Sequence, residues 1–191
     1  MATTDADPWD AVLAHLTRPA DETQTTRPAP GTRPVAVARS GRPYTAKPET
    51  IRLLKQRASN DRHLYAVTFD DDGRYGSHLE FVGVDQDDTG SWTINGADGG
   101  AGTPPHRDKP WINLAGWWGA DRFCAGGQVL GTNDAHSVRL TSRDGTTLED
   151  DTDAGIVLFL ADRELQLPVT LEIRDQTGRT IASQLDFETP D

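Results

Sequence analysis

Leu-Pro-Val-Thr-Leu-Glu-Ile-Arg-Asp-Gln-Thr-Gly, residues 167–178, decides the fold class. Leu171 and Ile173 alternate with Glu172 and Arg174, the period-two pattern of a strand with one covered face. Gln176-Thr177-Gly178-Arg179 then closes the run with tight-turn chemistry. The same rhythm extends outward in both directions. Downstream a last strand is expected near 179–187. Upstream lie an apolar run at 155–160, Gly-Ile-Val-Leu-Phe-Leu, and a strand at 136–142 with Val138 and Leu140 alternating ahead of the turn Arg143-Asp144-Gly145-Thr146. Further strands are expected at about 63–69, 74–84, 91–95 and 128–132. The turns between the first three, Asp70-Asp71-Asp72-Gly73 and Asp85-Gln86-Asp87-Asp88-Thr89-Gly90, have hairpin chemistry. Residues 95–110 read as a Gly, Ala, Asp and Pro loop. Short strands punctuated by Asp-Gly and Thr-Gly turns predict a mainly β protein, an antiparallel β-sandwich. Strands and helices do not alternate, as a parallel α/β sheet would require.

From Val138 to Phe187 the succession of strand, Asp-Gly turn, apolar strand and a second strand-turn-strand unit resembles immunoglobulin-like or transthyretin-like modules. That resemblance implies architecture and brings no catalytic residue with it.

Ahead of the sandwich the sequence predicts one or two short helices. Over 7–16, Asp7 is placed to cap a helix, Pro8 occupies its first position and Asp10 sits where it favours the positive helix end. Trp9, Val12, Leu13 and Leu16 fall at i, i+3, i+4 and i+7 and make one apolar stripe. So short a helix does not persist alone, because nucleation costs more than a few hydrogen bonds return, and the stripe needs a surface. Pro48-Glu49-Thr50-Ile51-Arg52-Leu53-Leu54 suggests a second helix opening the folded body. Between them, residues 17–48 hold six prolines and no apolar period, the composition of a disordered linker. The expected division is a helix at 1–16, a linker at 17–48 and a single β-rich domain at 49–191.

Charge narrows the partners. The net charge is -11, and residues 49–191 alone hold thirteen Lys and Arg against twenty-five Asp and Glu. A body of that sign repels phosphate backbones, which excludes nucleic acid as its partner. No apolar run has the length of a membrane span or an export signal, so a cytoplasmic location is expected. The single cysteine, Cys124, permits no intramolecular disulfide.

Motifs of chemistry are sparse. Asp85, Asp87 and Thr89 place oxygens at alternate positions like the first half of a calcium loop, but Gly96 stands where the bidentate Glu belongs. The histidines have no metal-ligand spacing and Cys124 has no nucleophile motif. No cofactor is expected, and Glu149, Asp150, Asp151 and Asp153 read as a solvated strand-end loop. The first functional reading is a non-catalytic interaction or adaptor protein. It docks on another protein, or on a second copy of itself, through Trp9, Val12, Leu13 and Leu16. An alternative is a carbohydrate or small-ligand module using Trp92, Trp111, Trp117 and Trp118, whose flat rings suit stacking. An enzyme assembled only by the fold would draw on Asp70, Asp85, Asp87, His78 and His106.

Overall fold

The computed structural model describes residues 7–19, 44–73, 76–99, 109–119 and 121–187. Among them helix α1 (Pro8–Thr17) precedes β1 (Arg52–Ser59), β2 (Arg62–Asp70), β3 (Ser77–Gln86), β4 (Trp92–Gly99), β5 (Trp111–Gly119), β6 (Arg122–Leu130), β7 (Ser137–Ser142), β8 (Thr147–Asp151), β9 (Ile156–Ala161), β10 (Val169–Arg174) and β11 (Thr180–Asp186). Three sheets result, ordered β1-β2-β3-β4, β5-β6-β9 and β11-β10-β7-β8. Every strand pairing is antiparallel. The chain is therefore mainly β and sandwich-like, with one sheet more than a two-layer sandwich needs.

Side-chain parity explains the layering. In β6 and β9, Phe123, Ala125, Val129, Val157 and Phe159 meet Val138, Leu140, Val169, Leu171 and Ile173 of the third sheet. The intervening Ile156 and Leu158 point the other way and meet Leu64, Ala66 and Phe81 of the first sheet. The sheet β5-β6-β9 is thus covered on both faces, and β9 is an unbroken apolar run for that reason. The first sheet is covered twice as well: Tyr65, Val67, Phe69, Val82 and Val84, opposite in parity to its inward residues, pack under α1 with Val12 and Leu16.

Glycines set the distance between the first two layers. A Cβ on Gly126 would lie 2.1 Å from Cδ1 of Phe81, so the phenyl ring rests on bare β6 backbone. Reciprocally, Trp117 of β5 lies against Gly96 and Gly83, where a Cβ would come within 2.5 Å of the indole.

Side chains pair with backbone groups on both edges of the middle sheet, which reduces its unpaired strand groups. At β5, the Gln184 amide accepts from Ile112 N (2.8 Å) and donates to Ile112 O (2.9 Å), imitating a neighbouring strand. At β9, Asp150 Oδ2 accepts from Leu158 N at 2.7 Å, while Arg57 donates to Leu158 O at 3.0 Å and Lys55 to Ile156 O at 3.3 Å. The same Asp150 carboxylate pairs with Lys55 at 2.8 Å and Arg57 at 3.2 Å.

Three hairpins share one turn device. Asp87 Oδ1 accepts from the Thr89 and Ser91 amides and the Thr89 hydroxyl, and Asp175 Oδ1 repeats the set with Thr177 and Arg179. Asp144 accepts from the Thr146 amide and the Ser142 hydroxyl. Gly90 and Gly178 complete two of these turns at φ of 84° and 80°, a left-handed region that suits glycine. The donors hold all three carboxyls below the ordinary carboxylate range, the Ser142 hydroxyl first among them for Asp144, which falls to about 2. A folded-state pKa below the unfolded value contributes stability that is complete above about pH 4 and is lost as pH falls through the folded value. The thermal midpoint should therefore decline between about pH 4 and pH 2, and Asp144→Asn should flatten part of that decline. A midpoint that changes equally in both proteins would count against the turn assignment.

The structure corrects several expectations. The second helix is a single 3-10 turn, Pro48–Thr50, and Arg52–Ser59 is strand β1. Pairing with β2 satisfies its backbone, and the i, i+2 spacing of Lys55 and Arg57 brings both to Asp150, so tertiary partners override a modest helix preference. Residues 149–151 are not a solvated loop but lie in β8, whose acids pair across strands with Arg139 and, through Asp150, with β1. β4 runs on to Gly99, into the stretch expected to be loop, because Gly96 makes room for Trp117. β6 begins at Arg122 rather than near 128. The folded body starts before residue 49: the Tyr44 ring packs tilted against Phe69 at 5.9 Å, and Ala46 is buried and bridged to Asp71. Residues 20–43, most of the expected linker, lie outside the described residues.

Candidate functional site

Helix α1 forms as its sequence dictates. Asp7 is the N-cap, its Oδ1 accepting from Trp9 N at 2.9 Å, and Pro8 is the first helical residue. The last turn is closed by the Thr17 hydroxyl on Leu13 O (2.8 Å) and by Ala46 N on Leu16 O (3.0 Å). The returning chain thus caps the helix that it follows.

Underneath lies a buried polar cluster. Glu80 is 3% exposed, with His15 Nε2 3.3 Å from one carboxylate oxygen and the Tyr44 hydroxyl donating to the other at 3.4 Å. Asp71, 1% exposed, accepts from the amides of Gly73 and Gly76 and lies 3.1 Å from His78 Nε2. Tyr44 stacks on His78 with ring centroids 4.1 Å apart and so joins the two pairs. Buried carboxylates supplied with several donors each fix α1 and the returning segment in register on the sheet.

At the start of α1 the layers part into an open cleft of about 540 Å3, lined by Asp7, Pro8, Trp9, Leu53, Gln56, His63 and Tyr65. Its rings support one another: Trp9 meets Tyr65 at 5.5 Å and His63 meets Trp92 edge-on at 4.9 Å. The Tyr65 hydroxyl lies 3.2 Å from Nδ1 of His63. Burial, and then the Asp7 carboxylate, push the Tyr65 phenol up to about 12. Burial lowers the His63 pKa, against a smaller opposing effect of Asp7. Near neutral pH a protonated phenol therefore lies beside a neutral imidazole.

The structure divides the expected binding residues. Val12 and Leu16, expected to meet a partner, are fully buried against the chain's own sheet, because a surface on the same chain competes at high effective concentration. Trp9 and Leu13 stay partly exposed. The four tryptophans do not share a face. Trp117 is wedged between sheets with Nε1 donating to Asn95 at 2.9 Å, whereas Trp118 faces Phe187 on the opposite side of β5 and is 39% exposed. Trp111 Nε1 is buried with no hydrogen-bond partner among the described residues, and Trp92 belongs to the cluster under α1. One residue from each expected set, Trp9 and Trp92, thus meets the His63–Tyr65 pair.

The oxygens of the calcium candidate are engaged elsewhere. Asp85 pairs with Arg122 and accepts from Asn95, while Asp87 and Thr89 are bonded within their turn. Among the described residues no group of three or more His, Cys, Asp or Glu is arranged to hold a metal. Asp70 accepts from Ser77, His78 faces Asp71, and His106 lies outside the described residues. Cys124 is fully buried, and burial pushes its thiol up to about 12.

Sequence reasoning passed over His63, Tyr65, Leu53 and Gln56. The spacing of His63 and Tyr65, two apart in an apolar strand, was the available signal, as was Glu80 standing alone among Leu79, Phe81 and Val82. Compared with protein-family models, with curated proteins and with solved structures, the chain matches none of them.

Proposed function

We propose that the chain is a non-catalytic interaction protein, an acidic β-sandwich that docks another protein on a composite surface made by α1 and the first sheet. Val12 and Leu16 anchor the helix, and Trp9 and Leu13 present its outer side. The observation that carries this reading is Leu53, 45% exposed on an edge strand at the rim of the cleft walled by the Trp9 ring. A large apolar side chain beside a concave aromatic surface is the composition of an interface centre.

A photo-crosslinking residue in place of Leu53, expressed in cells of the native host, should give one discrete adduct that disappears when Trp9→Ala is added. Adducts that persist in the Trp9→Ala protein would overturn the reading.

A second reading, small-ligand binding, draws on the cleft volume, which falls within the 300–1,000 Å3 typical of small-molecule sites. It relocates the ligand from the Trp-rich strand to the mouth of α1, and a change in Trp9 fluorescence with a sugar panel would favour it.

A further inference from the structure

Resting on the interaction reading, we infer that the cleft at the start of α1 receives a cationic side chain, an arginine or lysine of a basic segment of the partner. Three features of the cleft converge on that chemistry. Its lining holds Asp7, the half-buried indole of Trp9 backed by the buried Tyr65 ring, and neither lysine nor arginine. An indole face attracts cations through its quadrupole, more strongly than a phenyl or phenol ring does. Asp7 is fixed rather than mobile, since its Oδ1 caps the helix on Trp9 N.

The balance of charge around the cleft is negative. A helix start contributes about half a positive charge, which would repel a cation. Asp7 and Asp10, both at that end of α1, outweigh it. His63 adds no charge near neutral pH, since burial keeps its imidazole neutral. At longer range the net charge of -11 draws basic segments toward the surface. An anionic side chain would face Asp7 and the rest of an acidic surface. An apolar one would leave that carboxylate without a complement.

The occupant is tested with N-acetyl-arginine methylamide and its lysine counterpart, against the uncharged citrulline and norleucine analogues. Each is titrated into the full-length protein while the Trp9 indole and the His63 and Gln56 amides are followed by NMR. The cationic probes should shift these three signals together, with citrulline weaker by about tenfold. Asp7→Asn, which keeps a good helix cap, should weaken the cationic probes by about twofold to fivefold and leave citrulline unchanged. Equal response to arginine and citrulline, stronger response to norleucine, or shifts spread over the acidic surface and indifferent to Asp7→Asn would each overturn the inference. A Trp9-dependent adduct at Leu53 alongside any of those results would leave the interaction reading standing without a cationic occupant. Loss of both would remove the docking surface itself.

Discussion

Replacing Asp150 with alanine is expected to lower the unfolding free energy by about 3–5 kcal/mol and the thermal midpoint by about 10 °C. The size follows from what one carboxylate holds. Asp150 is 14% exposed, and its partner Lys55 is 11% exposed at 2.8 Å. Its Oδ2 also replaces a missing strand by accepting from Leu158 N. Removing it leaves an ammonium without its carboxylate and an edge amide without an acceptor, two penalties that an exposed ion pair does not incur. Asp150→Asn keeps an acceptor for Leu158 N and should lose roughly half as much. The check is urea unfolding of the three proteins. A loss below about 1 kcal/mol for the alanine variant would mean that the pair behaves as a surface ion pair and that β9 has an open edge.

The second large effect concerns the contact between the first two layers. Gly126→Ala places a methyl 2.1 Å from the Phe81 ring, in a space where neither sheet can retreat without opening its other face. Overpacking of this kind costs about 1–3 kcal/mol, and this site should lie at or above the upper end. Phe81→Leu, destabilising by itself, should restore part of the loss when combined with Gly126→Ala. The pair would then show a coupling of about 1 kcal/mol or more in a double-mutant cycle. Strict additivity would place the ring away from β6.

These two sites also show where the sequence was legible and where it was not. The hairpins could be read because each turn is local: Asp87, Asp144 and Asp175 bond residues two to four positions away, and that chemistry is visible in the order of the chain. The cap of α1 was legible for the same reason. What could not be read was long-range. Asp150 is one of several acids in a run, and only its meeting with Lys55 and Arg57, some ninety-five residues earlier, separates it from a solvated loop. Gly96 and Gly126 look like loop and turn glycines until Trp117 and Phe81 arrive from other strands. Stacking in three sheets was hidden by the same limit. β9 shows that it is buried on both faces, but not what covers them. The cleft was half legible: Trp9 was expected on the apolar stripe, while His63 and Tyr65 became site residues only when the helix came to rest above them.

Everything proposed for the cleft depends on α1 resting on its own sheet, since Asp7, Pro8 and Trp9 supply one wall. Hydrogen exchange on the full-length chain tests this directly at the amides of Val12 to Thr17. Slow exchange, approaching that of β3 and independent of protein concentration, is the expected result. Exchange of those amides at the rate of an unstructured chain, with β2 and β3 still protected, would contradict it and would dissolve the cleft along with the docked helix.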